Sequence, residues 1–235
     1  MGSEMLDIKM VMGSIAFLTP IPVKGDVEKL RRNLWIFPYT AILIGLIISI
    51  PSIIWHYFTI DIRFLTIVFY LIAEGINHVD GLADFGDALF APENRKKEAL
   101  KDTVTGTGGI VTVLIYLIIA YHTLFSASVI QIIFSQTVAK YSMLLLMATS
   151  RPGWQGMASY MMEFVGSRDL IIGILPIVVV GYFVGVGAIS TLLFAVLFVF
   201  ILKKYSESKF GGINGDIIGT VNCITFISTL SILTF

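Results

Sequence analysis

The chain has 235 residues, 56% of them hydrophobic and 14% charged, with a mean hydropathy of +0.88. Water-soluble domains average about 45–50% apolar and about 25% charged residues, so this composition excludes an ordinary soluble fold and points to an all-α, multi-pass membrane protein. Sixteen Lys and Arg balance sixteen Asp and Glu, which argues against a nucleic-acid partner, and a lone cysteine, Cys223, excludes an internal disulfide or a multi-cysteine metal site.

The apolar runs are long and unbroken, whereas a transmembrane barrel needs alternating apolar and polar residues. The length allows a single domain over 1–235 with six or seven spans of about 20 residues each. No basic leader with a cleavage site opens the sequence, so no signal peptide is expected. Met5 to Leu18 is apolar but interrupted by Asp7 and Lys9, the pattern of an N-terminal interfacial or re-entrant helix. Thr19-Pro20-Ile21-Pro22 stops it, and Lys24 to Arg32 is a charged loop. Spans are expected at about 34–58, 62–79, 108–124, 127–149, 169–186, 187–202 and 217–235. The fifth and sixth share one apolar run divided near Gly185 and Gly187, and Gly181 with Gly185 forms a small-residue pair suited to close helix packing.

With seven spans, alternate loops carry thirteen of the sixteen Lys and Arg; the exceptions are Lys9, Arg63 and Lys140. Cytoplasmic loops of membrane proteins are enriched in these residues. The expectation is therefore a cell-membrane protein whose polar motifs all face the cytoplasm.

Three motifs carry the chemistry. In Glu74-Gly75-Ile76-Asn77-His78-Val79-Asp80-Gly81-Leu82-Ala83-Asp84-Phe85-Gly86-Asp87, the three Asp are spaced four and three apart, which places them on one helical face. Like charges so close repel unless a cation sits among them, and a carboxylate-only set suits a hard cation such as Mg²⁺. The alternative is a solvated helix start that favours acids through its dipole. The second motif, Lys101-Asp102-Thr103-Val104-Thr105-Gly106-Thr107-Gly108-Gly109, enters a helix as a glycine-rich turn whose free amides suit phosphate, although it is no Walker A loop. The third, Phe210 to Asn222, repeats that logic with Gly211, Gly212, Asn214, Gly215 and Asp216. Lys140, a lone cation within the fourth span, must face the bundle interior and pair with an acid or a phosphate. Arg151 either holds phosphate or follows the loop-charge rule.

Taken together, the blocks Gly75–Asp87, Lys101–Gly109 and Gly211–Gly219, with Phe17-Leu18-Thr19-Pro20-Ile21-Pro22 before them, resemble the cobalamin-5′-phosphate synthase (adenosylcobinamide-GDP ribazoletransferase) family from end to end and in order. Two departures are Asn77, where the family has a small or apolar residue, and Asn222-Cys223, where it often has an acid. The resemblance implies a phosphotransferase acting on a corrinoid nucleotide. A ribose hydroxyl of α-ribazole, or of its 5′-phosphate, attacks the phosphorus attached to adenosylcobinamide, and GMP leaves. It implies Mg²⁺ on Asp80, Asp84 and Asp87, with Glu74 and His78 as candidate bases or supports. Lys101, Gly106, Gly108 and Gly109 would hold the departing phosphate, and Asp102 and Asp216 would add metal ligation or orient the ribazole. Lys140, Arg151 and Asn214 complete the candidate phosphate-binding set. Oligomeric state is left open.

Two rivals remain. A CDP-alcohol phosphotransferase has similar physics, but its Asp-x-x-Asp-Gly-x-x-Ala-Arg pattern meets Asn77 at the first Asp and Asp84-Phe85 at Ala-Arg. A cation or metabolite transporter keeps its charges near the midplane, often with inverted repeats; here the acids crowd one face and no repeat is visible.

Overall fold

The computed structural model describes residues 7–102 and 104–235. Every long element is helical. In chain order they are α1 (Ile8–Leu18), α2 (Val27–Arg31), α3 (Phe37–Ile48), α4 (Ile50–Phe58), α5 (Thr66–Glu74), α6 (Asn77–Phe90) and α7 (Lys96–Ala99). Then come α8 (Thr107–Ser126), α9 (Val129–Thr149), α10 (Met157–Met162), α11 (Ser167–Gly173), α12 (Leu175–Val184), α13 (Gly187–Lys209) and α14 (Gly215–Thr234). Among the described residues, five stretches are long and apolar enough to cross a membrane: α8, α9, α11 with α12, α13 and α14. A sixth exists if α3 and α4 count as one bent span.

The bend between α3 and α4 is 48°. Pro51, in the first turn of α4, has no N–H and its ring crowds the carbonyl four residues back, so the preceding helix cannot run straight through. The division of 169–202 falls where the glycines stand: Gly185 ends α12 with a φ of 82°. Gly181 packs, with a Cβ placed there 3.1 Å from Phe134, whereas Gly185 meets nothing within 4 Å and serves the turn alone.

The expected span at 62–79 does not form. Helix α5 has nine residues and ends at Glu74; Gly75 then takes a φ of 73°, and the chain restarts as α6. With the 3₁₀ turn Arg63–Leu65 that leads into it, the helical segment rises only about 20 Å, short of a hydrocarbon core. The sequence reads as one apolar run because its last polar-free stretch abuts the acidic block, but the glycine sets the break. Of the expected N-terminal helix, Met5 and Leu6 lie outside the described residues; the rest is α1, capped by Asp7 accepting from the Lys9 amide at 2.8 Å. Helix α1 buries Met10, Gly13, Ser14 and Leu18, and the Ser14 and Thr40 hydroxyls meet at 2.7 Å.

Helices α9 and α14 form the centre, with about 70% of their apolar windows buried, whereas α8, α11–α12 and α13 keep most of theirs outward. Exposed Ile118, Val178, Phe183, Leu193 and Leu197 make those outer faces apolar. An apolar exterior around a core that holds buried Lys140, Gln136 and Asn222 is the arrangement a lipid solvent selects.

Candidate active site

Helix α6 is wedged between α8 and α14, and glycine makes the approach possible on both sides. A Cβ on Gly81 would stand 2.8 Å from the Asp216 Cα, and one on Gly219 would stand 3.1 Å from the His78 carbonyl. On the other flank a Cβ on Gly109 would lie 2.7 Å from the Ala83 carbonyl, and one on Gly108 would lie 3.0 Å from that of Gly86. The Thr220 hydroxyl, near the Asp216 carbonyl at 2.8 Å, also reaches that of Gly81 at 3.2 Å. The glycine blocks thus act on backbone packing, and their effect is to set Asp216 of α14 against the acidic face of α6.

Four segments distant in sequence converge on one acidic compartment of about 430 Å³. Helix α6 supplies Asp80 and Asp84, the loop before α8 supplies Lys101 and Asp102, the turn before α10 supplies Trp154, and the start of α14 supplies Asn214 and Asp216. The Lys101 Nζ stands 4.7 Å from the Trp154 ring centroid, a cation–π contact that keeps the ammonium at the mouth. The Asn214 Oδ1 caps α14 through the Ile217 amide at 3.1 Å, and its Nδ2 donates to Asp216 at 2.5 Å.

Asp84 is half-buried here. Burial, followed by the charges of Asp216, Asp80, Asp87 and Asp102, pushes its carboxyl up to about 6. Among the described residues no ion pair offsets that charge, and the candidate ligands beside it are carboxylates. Among the described residues no three His, Cys, Asp or Glu stand close enough to hold a metal by themselves. That still fits Mg²⁺, which typically takes one or two carboxylates and completes its shell with water and substrate phosphates.

A second compartment of about 1000 Å³ opens beside the first and shares Asp80, Met157, Ala158, Gly215 and Asp216 with it. Its walls are largely apolar, built from the segment 16–22 and from methionines of α9 and α10, with Glu74, Asn77 and His78 also on the lining.

Other expected site residues lie elsewhere. Asp87 accepts the Gly106 amide at 2.7 Å and the Gly109 amide at 2.8 Å. Its carboxylate thus occupies two of the three glycine amides that the sequence assigns to phosphate; Gly108 instead packs against the Gly86 carbonyl, and none of the three lines the acidic compartment. Lys140 is fully buried and pairs with Glu74; its Nζ also donates to Asn222 at 2.8 Å. The Asn222 amide donates to the same Glu74 oxygen at 2.6 Å. Of the two partners the sequence leaves open for Lys140, the acid is the one in place. His78 lies 3.5 Å from Glu74, and burial, then the Lys140 charge, holds its imidazole at about 4, hence neutral. Arg151 is exposed and lines neither compartment; its carbonyl accepts the Ile213 amide at 3.0 Å and ties the turn before α10 to the loop before α14.

Two participants carry little sequence signal. Trp154 follows a Pro-Gly turn at a span end, where an aromatic at the membrane boundary was the available clue. The methionine wall is invisible because methionine in a span reads as ordinary core.

A family profile described as cobalamin-5-phosphate synthase matches residues 10–234. An adenosylcobinamide-GDP ribazoletransferase of Archaeoglobus fulgidus is 55% identical over 97% of both chains. One of Pyrococcus abyssi is 37% identical over 94% of this chain and 96% of its own, and one of Caldanaerobacter subterraneus subsp. tengcongensis is 32% identical over 93% and 94%. No solved structure matches. A profile that spans nearly the whole chain, and relatives alike from end to end, settle the kinship: this protein belongs to the cobalamin-5-phosphate synthase family of enzymes.

Proposed function

We infer that this protein is a membrane-embedded phosphotransferase that joins α-ribazole, or its 5′-phosphate, to adenosylcobinamide-GDP and releases GMP. The observation that carries this reading is the meeting of Asp80, Asp84, Lys101, Asp102, Asn214 and Asp216, from three parts of the chain, around one compartment at the boundary of an apolar bundle. Relatives that are named for this transfer support it.

In the reaction an oxygen–phosphorus bond forms from the ribose hydroxyl, and the bond from the same phosphorus to GMP breaks. Lys101, on the lining of the acidic compartment, would bind the departing phosphate. Asp80 and Asp84, with Asp102 or Asp216, would hold Mg²⁺, which supplies charge neutralisation on the diphosphate. Asp87 holds the turn into α8 in place by fixing the Gly106 and Gly109 amides. Glu74 and His78 line the larger compartment and would take up the hydroxyl proton. Lys140 and Asn222 keep the Glu74 carboxylate oriented.

The basic side chains Lys96, Lys101, Arg151, Lys203 and Lys209 stand at span ends near the acidic compartment or in loops joined to it. That supports an active site facing the cytoplasm from the cell membrane. The test is GMP release from adenosylcobinamide-GDP and α-ribazole 5′-phosphate, with Mg²⁺ and with EDTA, by wild type and Asp84→Asn. Metal-dependent release lost in the variant is expected. Release that persists in EDTA sinks the metal assignment, and folded protein with no release sinks the reaction.

A further inference from the structure

The two compartments differ in chemistry, and they meet at a strip made of Asp80, Met157, Ala158, Gly215 and Asp216. We propose that the larger, apolar compartment seats the aromatic base of the α-ribazole nucleoside, while the acidic compartment takes the GDP half of the other substrate. This rests on the transfer reaction inferred above and adds where each substrate lies.

In a displacement at phosphorus the attacking and leaving oxygens stand roughly in line on opposite sides. The leaving GMP carries phosphate, so it belongs with Lys101, Trp154, Asn214 and the carboxylates. The hydroxyl then has to arrive from across the Asp80–Asp216 strip, which is the apolar compartment. The corrinoid hangs from the same phosphorus but off that line, so it leaves through the cleft mouth and need not occupy either chamber.

The lining agrees. Met143, Met147 and Met161 are buried and, with Phe17 and Pro20, face a space of about 1000 Å³. Thioethers adapt their shape and make favourable sulfur–aromatic contacts, which suits a flat, uncharged ring. Pockets of about 300–1,000 Å³ hold ligands of drug size. An amide-rimmed corrin would strand its polar groups against those methionines, at a cost for each one left unpaired. Asn77, His78 and Glu74 on the same lining offer hydrogen-bonding partners for a ribose.

Two measurements test the placement. Ala16 is exposed and lines only the larger compartment, as does Met147. Ala16→Trp and Met147→Gln are each expected to raise the KM for α-ribazole at least tenfold, with the KM for adenosylcobinamide-GDP changed less than twofold. A KM rise confined to adenosylcobinamide-GDP puts the corrinoid there, and no change in either KM leaves the chamber to lipid; both overturn the proposal. Hydrogen exchange on the wild type needs no variant: α-ribazole is expected to protect 16–23 and 157–161, and GDP to protect 100–102. Protection in the reverse pattern, or none from α-ribazole, overturns it equally. Wild-type protein that is folded but releases no GMP instead refutes the reaction itself, which keeps the two failures apart.

Discussion

Lys140 on α9 and Asn222 on α14 are joined by a 2.8 Å hydrogen bond in the middle of the bundle, and both close on one oxygen of Glu74. All three side chains are buried. The second Glu74 oxygen has no partner among the described residues and belongs to a residue that lines the larger compartment. The trio therefore fixes a carboxylate with one face committed to the fold and the other left over.

Breaking this trio from the cation side leaves an uncompensated charge. Truncating one partner of a buried ion pair costs about 3–5 kcal/mol. Lys140→Met is expected to lower stability by that order, and the double variant Lys140→Met/Glu74→Gln to recover much of it. Asn222→Asp replaces a donor with a second negative charge and should also destabilise at neutral pH. Thermal melts in one detergent check all three; a double variant no more stable than Lys140→Met would refute the pairing as the cause.

Asp87, three residues from Asp84 and seven from Asp80 on the same helix, is the most useful contrast to Asp84. Its carboxylate takes two amides at the start of α8. Removing such a cap costs about 0.5–2 kcal/mol. Asp87→Ala should lower the melting temperature, increase hydrogen exchange in 101–109, and raise the KM for adenosylcobinamide-GDP through the loosened Lys101. Unchanged exchange in that loop would show that the cap contributes nothing.

Asp84 gives a pH prediction. Its folded carboxyl sits at about 6 against an ordinary value of 3.8. The fold therefore favours the protonated acid. That contribution to stability is fully present below about pH 4 and is lost as the pH rises through about 6. Metal-free protein should thus be less stable at pH 7.5 than this group would allow if uncharged. Asp84→Asn should raise the melting temperature at pH 7.5, flatten its fall between pH 4 and 6, and abolish turnover. Added Mg²⁺ should stabilise the wild type and not the variant. Loss of turnover with a lower melting temperature would point to a folding defect instead.

How much of this was legible in the residues follows the physics of each signal. The helical class and most spans follow from hydrocarbon length, a property of local composition. Spans at 108–124, 127–149 and 217–235 correspond to α8, α9 and α14 because each is one uninterrupted apolar run. The 62–79 run failed because composition averages over Gly75, whose positive φ is a backbone event that hydropathy does not register. The acidic face was visible as a spacing. Its division was not: Asp80 and Asp84 line a cleft while Asp87 caps α8, since only the neighbouring helix decides which carboxylate meets amides. The Lys140–Glu74 pair spans 66 residues and no local pattern encodes it, although an isolated cation in a span required some partner.

The glycine seam offers the last prediction. Gly81 has room for no side chain: a Cβ would stand 2.8 Å from the Cα of Asp216 and 3.0 Å from its carbonyl oxygen, both backbone atoms that cannot rotate away. Gly81→Ala must push α6 and α14 apart, and overpacking of this kind costs about 1–3 kcal/mol. Because Asp80 and Asp84 ride on α6 while Asp216 rides on α14, the same shift separates the groups of the acidic compartment. Stability and turnover should therefore fall together, with kcat reduced by at least tenfold in the fraction that stays folded. Gly166→Ala is the control, since a Cβ there meets nothing within 4 Å. It should leave both quantities near the wild type. If Gly81→Ala melts and turns over like Gly166→Ala, the two helices are not in the contact described, and the placement of Asp216 beside the acidic face falls with it.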